Sequence, residues 1–197
     1  LSTVAIVSLL LCIGGSGADP ESIEDKIFDR TDLRQADLSG LDLSDGNLNQ
    51  SDLRDASLKN ADLSNSFLIS AWMMGADMTG AKLEGADLTG ADLSGAILTG
   101  ADLIEANLWG AKMSETVLVE SDLTKADLTR ADLSDANLTG ADMTNARLFR
   151  TDLSGAKMVD VYLIGGNFVG AHMSWANMSN SYLNRGQFSR AEFYGTD

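Results

Sequence analysis

From Leu33 to Phe193 a large apolar residue returns at every fifth position, with no insertion or deletion to break the phase. All 33 of these centres are Leu, Met or Phe: 23 Leu, seven Met and three Phe. Two positions before the centre stands Ala in 21 of 33 repeats; most exceptions are Thr, Ser or Gly, and only Leu41 and Val161 are large. Between these two apolar positions the residue is Asp or Asn in 19 of 33 repeats. The stretch ADLTGADLSGAILTGADL, Ala86 to Leu103, shows the unit plainly. A step of five advances about 500° around a helix, so the Leu row would wind round it and form no single face. Small and large apolar residues two apart, with a polar residue between, describe a short extended piece whose Ala and Leu point inward. The last two residues must then turn the chain. Gly fills the final slot from Gly75 through Gly100, as tight turns with positive φ favour. Repeated always in the same sense, such turns give a solenoid whose stacked coils share one core.

The unit Ala-Asp-Leu-x-x resembles the A(D/N)LXX pattern of pentapeptide-repeat proteins over residues 31–195. That resemblance implies an all-β fold: a right-handed quadrilateral parallel β-helix with four pentapeptides to a coil. Residues 20 apart then stack, and about eight coils at ~4.8 Å each form a rod of roughly 40 Å. Leu88, Leu93, Leu98 and Leu103 are expected as core centres.

The first 18 residues do not share the pattern. They carry no charge, and the apolar run Val4–Ile13 is shorter than the ~20 residues a membrane span needs. It suits the core of a signal peptide, with Ser16-Gly17-Ala18 supplying small residues for cleavage before Asp19. Leu11 precedes Cys12, the only cysteine, where a lipidation site would want a small residue. Asp19-Pro20-Glu21 reads as a helix start, and Ile23 with Ile27 gives one apolar side. The expected organisation is therefore a signal peptide at 1–18, a capping segment at 19–30 with a short helix over 20–27, and a β-helix over 31–197.

Charge alters the functional picture. The chain holds 14 Lys and Arg against 29 Asp and Glu, a net −15. Rod shape and acidity agree with one role known in the family, mimicry of duplex DNA before a type II topoisomerase, DNA gyrase. A net −15 over roughly 40 Å is nevertheless about one charge per 2.7 Å, sparser than the ~1.7 Å of the duplex. Arg130, Arg150 and Arg190 also share one corner column. An exported protein would not meet gyrase. Enzymatic chemistry is disfavoured: no nucleophile–base pair, phosphate loop or metal-ligand spacing stands out. No catalytic residue, cofactor or metal is expected, and His172 reads as a surface residue between Asp152 and Glu192.

The favoured reading is an exported, non-enzymatic rod, in the periplasm or thylakoid lumen as the resemblance implies, serving as a structural or protein-interaction module. Its expected partner is a protein, with no nucleic acid and, after signal removal, no membrane. Apolar residues at outward positions supply the candidate contact surface: Ile69, Trp72, Met74, Trp109, Phe149 and Val169. Ile97, Val117, Val119 and Val159 cluster on another side. Phe188, Phe193 and Tyr194 either plug the last coil or pack on a second copy, so the expected state is a monomer or an end-to-end homodimer.

Overall fold

A computed structural model describes residues 28–197. The signal peptide expected at 1–18 and the capping helix expected over 20–27 lie outside the described residues. Parallel bridges join each outward residue to the one 20 positions on, from Asp32↔Asp52 to His172↔Glu192. Four pentapeptides therefore close one coil. We number the sides by their bridging residues: side 1 begins at Asp32, side 2 at Asp37, side 3 at Asp42 and side 4 at Asn47. Each corner takes the numbers of the sides it joins.

One repeat shows why five residues suffice. Leu33 N donates to Asp52 O at 2.8 Å, Asp52 N donates back to Thr31 O at 2.9 Å, and Gln35 N reaches Arg54 O at 2.9 Å. Ala36 N closes a turn onto Leu33 O at 3.0 Å. Counting Asp52 for the equivalent Asp32, which has no described coil before it, four of the five backbone N–H positions of the repeat thus have backbone partners. The fifth, at Arg34, donates to Asp32 Oδ1 at 3.2 Å. This last bond recurs at each of the 19 Asp and Asn residues in the slot. It is an Asx turn, and it explains why carboxylate and amide interchange there: both offer the same acceptor oxygen. The acidity of the rod is in large part a by-product of this turn chemistry. At Phe67 the acceptor is lost, and Ile69 N donates instead to Asn49 Oδ1 in the preceding coil, at 2.8 Å.

Every turn has the same backbone. The second residue after each centre has positive φ, from 53° at Arg30 to 72° at Gly165, whether it is Gly or not. Negative φ at the first central residue and positive φ at the second, with the i+3 bond closed, is the type II pattern.

The side chains fill the tube in two rings. Leu88, Leu93, Leu98 and Leu103 are fully buried, as are the Ala residues two before them. Where Ser or Thr replaces Ala beyond the first coil, its hydroxyl bonds a centre carbonyl: Ser66 Oγ to Leu63 O at 2.7 Å, Thr116 Oγ1 to Met113 O at 2.7 Å. The first centre lies five residues earlier than the sequence count began: Phe28 packs against the core, and its N–H donates to Asn47 O at 2.7 Å. Towards the other end the centres of side 4 change from Leu to Phe. Phe168 and Phe188 stack with centroids 4.8 Å apart, and Phe188 meets Phe193 at 5.8 Å. Gly166 and Gly186 stand two before these rings, where a Cβ would collide with Phe168 and Phe188 respectively. The larger centre has taken the volume that Ala uses elsewhere. Tyr194 lies edge-on to Trp175, with both rings still exposed.

Candidate protein-contact corner

The 20-residue register collects four of the six candidate contact residues. Ile69, Trp109, Phe149 and Val169 occupy the first turn position of the 4/1 corner in successive or alternate coils. Trp109 is 43% exposed, and Ile69, Phe149 and Val169 are half-buried. Trp72 begins side 1 beside this corner and is 51% exposed. It lines a shallow depression with Arg30, Gln50 and Ser70. Met74 lies at the far end of side 1, at the 1/2 corner, and does not join the group. The second apolar cluster runs along side 2, where Ile97 and Val117 bridge directly.

The corner carries features that the sequence reading missed. The guanidinium of Arg130 lies 5.7 Å from the Trp109 ring centre, and that of Arg150 lies 5.1 Å from the Phe149 ring centre. Arg54 covers Trp72 in the same way at 5.9 Å. Stacking on an aromatic face leaves the guanidinium edge free to donate. Arg54 spends that edge on Asp52, with Nη2–Oδ2 at 2.6 Å. Its donation is the leading reason the Asp52 carboxyl sits below the usual carboxylate range. Arg130 and Arg150 have no carboxylate partner among the described residues. Asp132 and Asp152, two residues on, instead accept the backbone N–H of Ser134 and Ser154.

Between Trp109 and Phe149 in the column stands Thr129. It is 8% exposed, and its hydroxyl is the one buried side-chain polar atom among the described residues with no partner. Thr79 and Thr89, in the same slot elsewhere, donate to the Asp two before them. Asp127 is engaged otherwise, by Thr129 N at 3.0 Å and by Arg147 at 3.4 Å.

The acidic sides are locally compensated. Lys82 reaches Asp62 at 3.2 Å and Lys112 reaches Asp92 at 3.3 Å, each from the next coil. Burial alone would raise the Asp62 and Asp92 carboxyls, but donors from Ser64, Ser94 and these lysines bring both below the ordinary value. His172 Nδ1 lies 3.1 Å from Glu192 at the exposed surface. No group of three or more His, Cys, Asp or Glu among the described residues is placed to hold a metal ion. No helix among them is long and apolar enough to cross a membrane.

Comparison with known proteins agrees with the coil geometry. The pentapeptide-repeat family model matches in eight copies spread from residue 27 to residue 195. The chain belongs to the pentapeptide-repeat family, whose members form right-handed quadrilateral β-helices. Among solved structures it is similar to QnrB1, a plasmid-mediated fluoroquinolone resistance protein, at 18% identity over 87% of this chain and 88% of that one, with TM-score 0.60. It is also similar to HetL, involved in heterocyst differentiation regulation in the cyanobacterium Nostoc sp. strain PCC 7120, at 26% identity over 88% and 91% of the two chains, with TM-score 0.42. A thylakoid-lumen pentapeptide-repeat protein of Arabidopsis thaliana matches at 27% identity over 76% and 77%, with TM-score 0.39. No curated protein matches this chain.

Proposed function

We propose that this protein is an exported, non-enzymatic rod that binds a partner protein through its 4/1 corner. Pentapeptide-repeat proteins are generally structural or interaction modules. The observation that carries the reading is the column Ile69, Trp109, Phe149, Val169. The coil does not need these side chains: the same slot holds Ser or Thr in many repeats, and the turn bonds are made by backbone and Asx oxygens. Exposed apolar surface aligned over several coils is the usual mark of a contact site. Export rests on the uncharged segment 1–18 with its short apolar run and small residues before Asp19. The likeness to QnrB1 speaks to fold, and the arginine-bearing corner works against a phosphate-like surface.

The test is Trp109→Ser combined with Phe149→Ser. Partner capture is expected to be lost while the thermal melting curve stays within a degree or two, since both rings lie outside the core. An unchanged set of captured partners would retire the corner as the contact surface. Mass spectrometry of the N-terminus of the secreted or lumenal protein tests export; a chain retaining residues 1–18 would remove that half of the reading.

A further inference from the structure

The four corners share one backbone but differ in charge. At the 4/1 corner the second turn residue runs Arg30, Gln50, Ser70, Gly90, Gly110, Arg130, Arg150, Gly170, Arg190, with no acid. At the 2/3 corner it runs Gly40, Asn60, Gly80, Gly100, Glu120, Gly140, Asp160, Asn180, with no base. At the 1/2 corner the second position also has no base and carries Asp55, Glu115 and Asp135, while Arg34 and Arg54 at the first position are paired with Asp32 and Asp52. Of the four corner arginines with no carboxylate partner among the described residues, a chain of net −15 has placed Arg130, Arg150 and Arg190 on the edge that also bears the aromatic column, and only Arg185 elsewhere, at the 3/4 corner.

We propose that the 4/1 corner between Trp109 and Val169 binds an extended acidic segment of a partner protein. Carboxylates of that segment engage Arg130 and Arg150, and its apolar side chains pack on Trp109 and Phe149. The inference rests on the reading of this corner as a contact surface and adds the chemistry of the partner. Three observations support it. First, each guanidinium lies over a ring, a contact that restrains its donor fork before a ligand arrives and lowers the entropic cost of a bidentate bond. Second, the two arginines stand on consecutive coils, about 4.8 Å apart along the axis, and neither is neutralised within the described residues. Third, both occupy positive-φ positions, at 60° and 57°, where Gly, Asn or Asp would fit with less strain. The turn backbone therefore gives no reason of its own for arginine at these two positions.

The remaining surface selects the class of anion. Asp87, Asp127, Asp132 and Asp152 flank the corner and would repel a densely charged polymer such as duplex DNA. A segment with a few carboxylates spaced by apolar residues meets both the arginines and the rings.

The probe is a fluorescein-labelled peptide of three Glu-Phe-Glu-Ser units, with matched peptides carrying Gln or Lys for Glu, measured by fluorescence polarisation. The Glu peptide is expected to bind saturably and to weaken as salt rises from about 50 to about 200 mM. Arg130→Glu with Arg150→Glu should weaken it at least ~10-fold, on the scale of a lost charge pair. The melting curve should hold, because Glu105, Glu115 and Glu120 already occupy this turn slot elsewhere. Arg130→Lys with Arg150→Lys should give an intermediate loss. Equal binding of the Gln peptide, lost in the Trp109/Phe149 variant, would overturn the acidic partner and leave the contact surface standing. No saturable binding of the Glu peptide, or binding of duplex DNA at the two arginines in its place, would overturn the inference as well.

Discussion

The 4/1 and 2/3 corners are two answers to one backbone requirement. Both turn the chain with positive φ at the second position; buried Leu and Met centres lie beneath the 2/3 corner, and buried Leu centres with Phe168 and the partly buried Phe28 and Phe188 lie beneath the 4/1 corner. The 2/3 corner fills that position with Gly, Asn, Asp or Glu throughout, and the one before it with Ser39, Lys59, Thr79, Thr99, Val119, Thr139, Val159 and Ser179. The 4/1 corner instead uses arginines, and carries Trp109 and Phe149 at the first position. The difference shows that the coil constrains the inside and the turn backbone while leaving the corner side chains open to selection by a partner.

If the corners differ only on the outside, the core beneath them should respond alike. Leu108→Ala below the 4/1 corner and Leu98→Ala below the 2/3 corner remove equally buried side chains. Each should cost about 2–5 kcal/mol, read as matched losses in denaturant midpoint. A loss at one site only would break the comparison.

The Asx turns should give the next largest effect. Asp77→Ala, which strips the acceptor from Thr79 N and Thr79 Oγ1 and the partner from Lys59, should cost roughly 1–3 kcal/mol. Asp77→Asn should restore most of it. The Asp77 carboxyl lies below its ordinary value, although burial opposes this, because Thr79 and Lys59 donate to it. A depressed folded value means the stabilisation is present above the unfolded value, about 3.9, and is lost as pH falls through the folded one. Asp52, Asp62 and Asp92 share that direction. Melting temperature should therefore hold between pH 7 and 5 and drop below about pH 4; a flat profile down to pH 2.5 would show that the carboxylates add nothing beyond what an amide gives.

The smallest effect should be at the corner residues themselves. Arg150→Asn should raise stability by up to about 1 kcal/mol while weakening binding to an acidic probe, and Gly100→Arg at the 2/3 corner should lower stability by a similar amount. Calorimetry showing both substitutions neutral would remove strain as an argument for the arginines.

Much of this was legible before any fold was known. Alternation of Asp with Asn in one slot, as at Asp87 and Asn107, is the signal in the sequence from which a shared acceptor oxygen could have been read. The turn itself was not read from that slot, because the N–H it serves, two residues on, has no signature of its own. Phe28 could have been counted as a centre by stepping back five. The pairing of Arg130 with Trp109 could not: the two are 21 residues apart and meet only because a coil is 20 residues long.

The sequence by itself determined the solenoid, since a strict five-residue return of one buried side chain is compatible with a turn after every short extended piece and with neither a helix nor a long strand. It also determined which residues line the core. Tertiary structure decided the circumference of the coil, and with it every relation between residues on the outside. Which side chains stack along an edge depends on how many turns close the ring, a quantity fixed by packing around the axis and not by the spacing within a repeat.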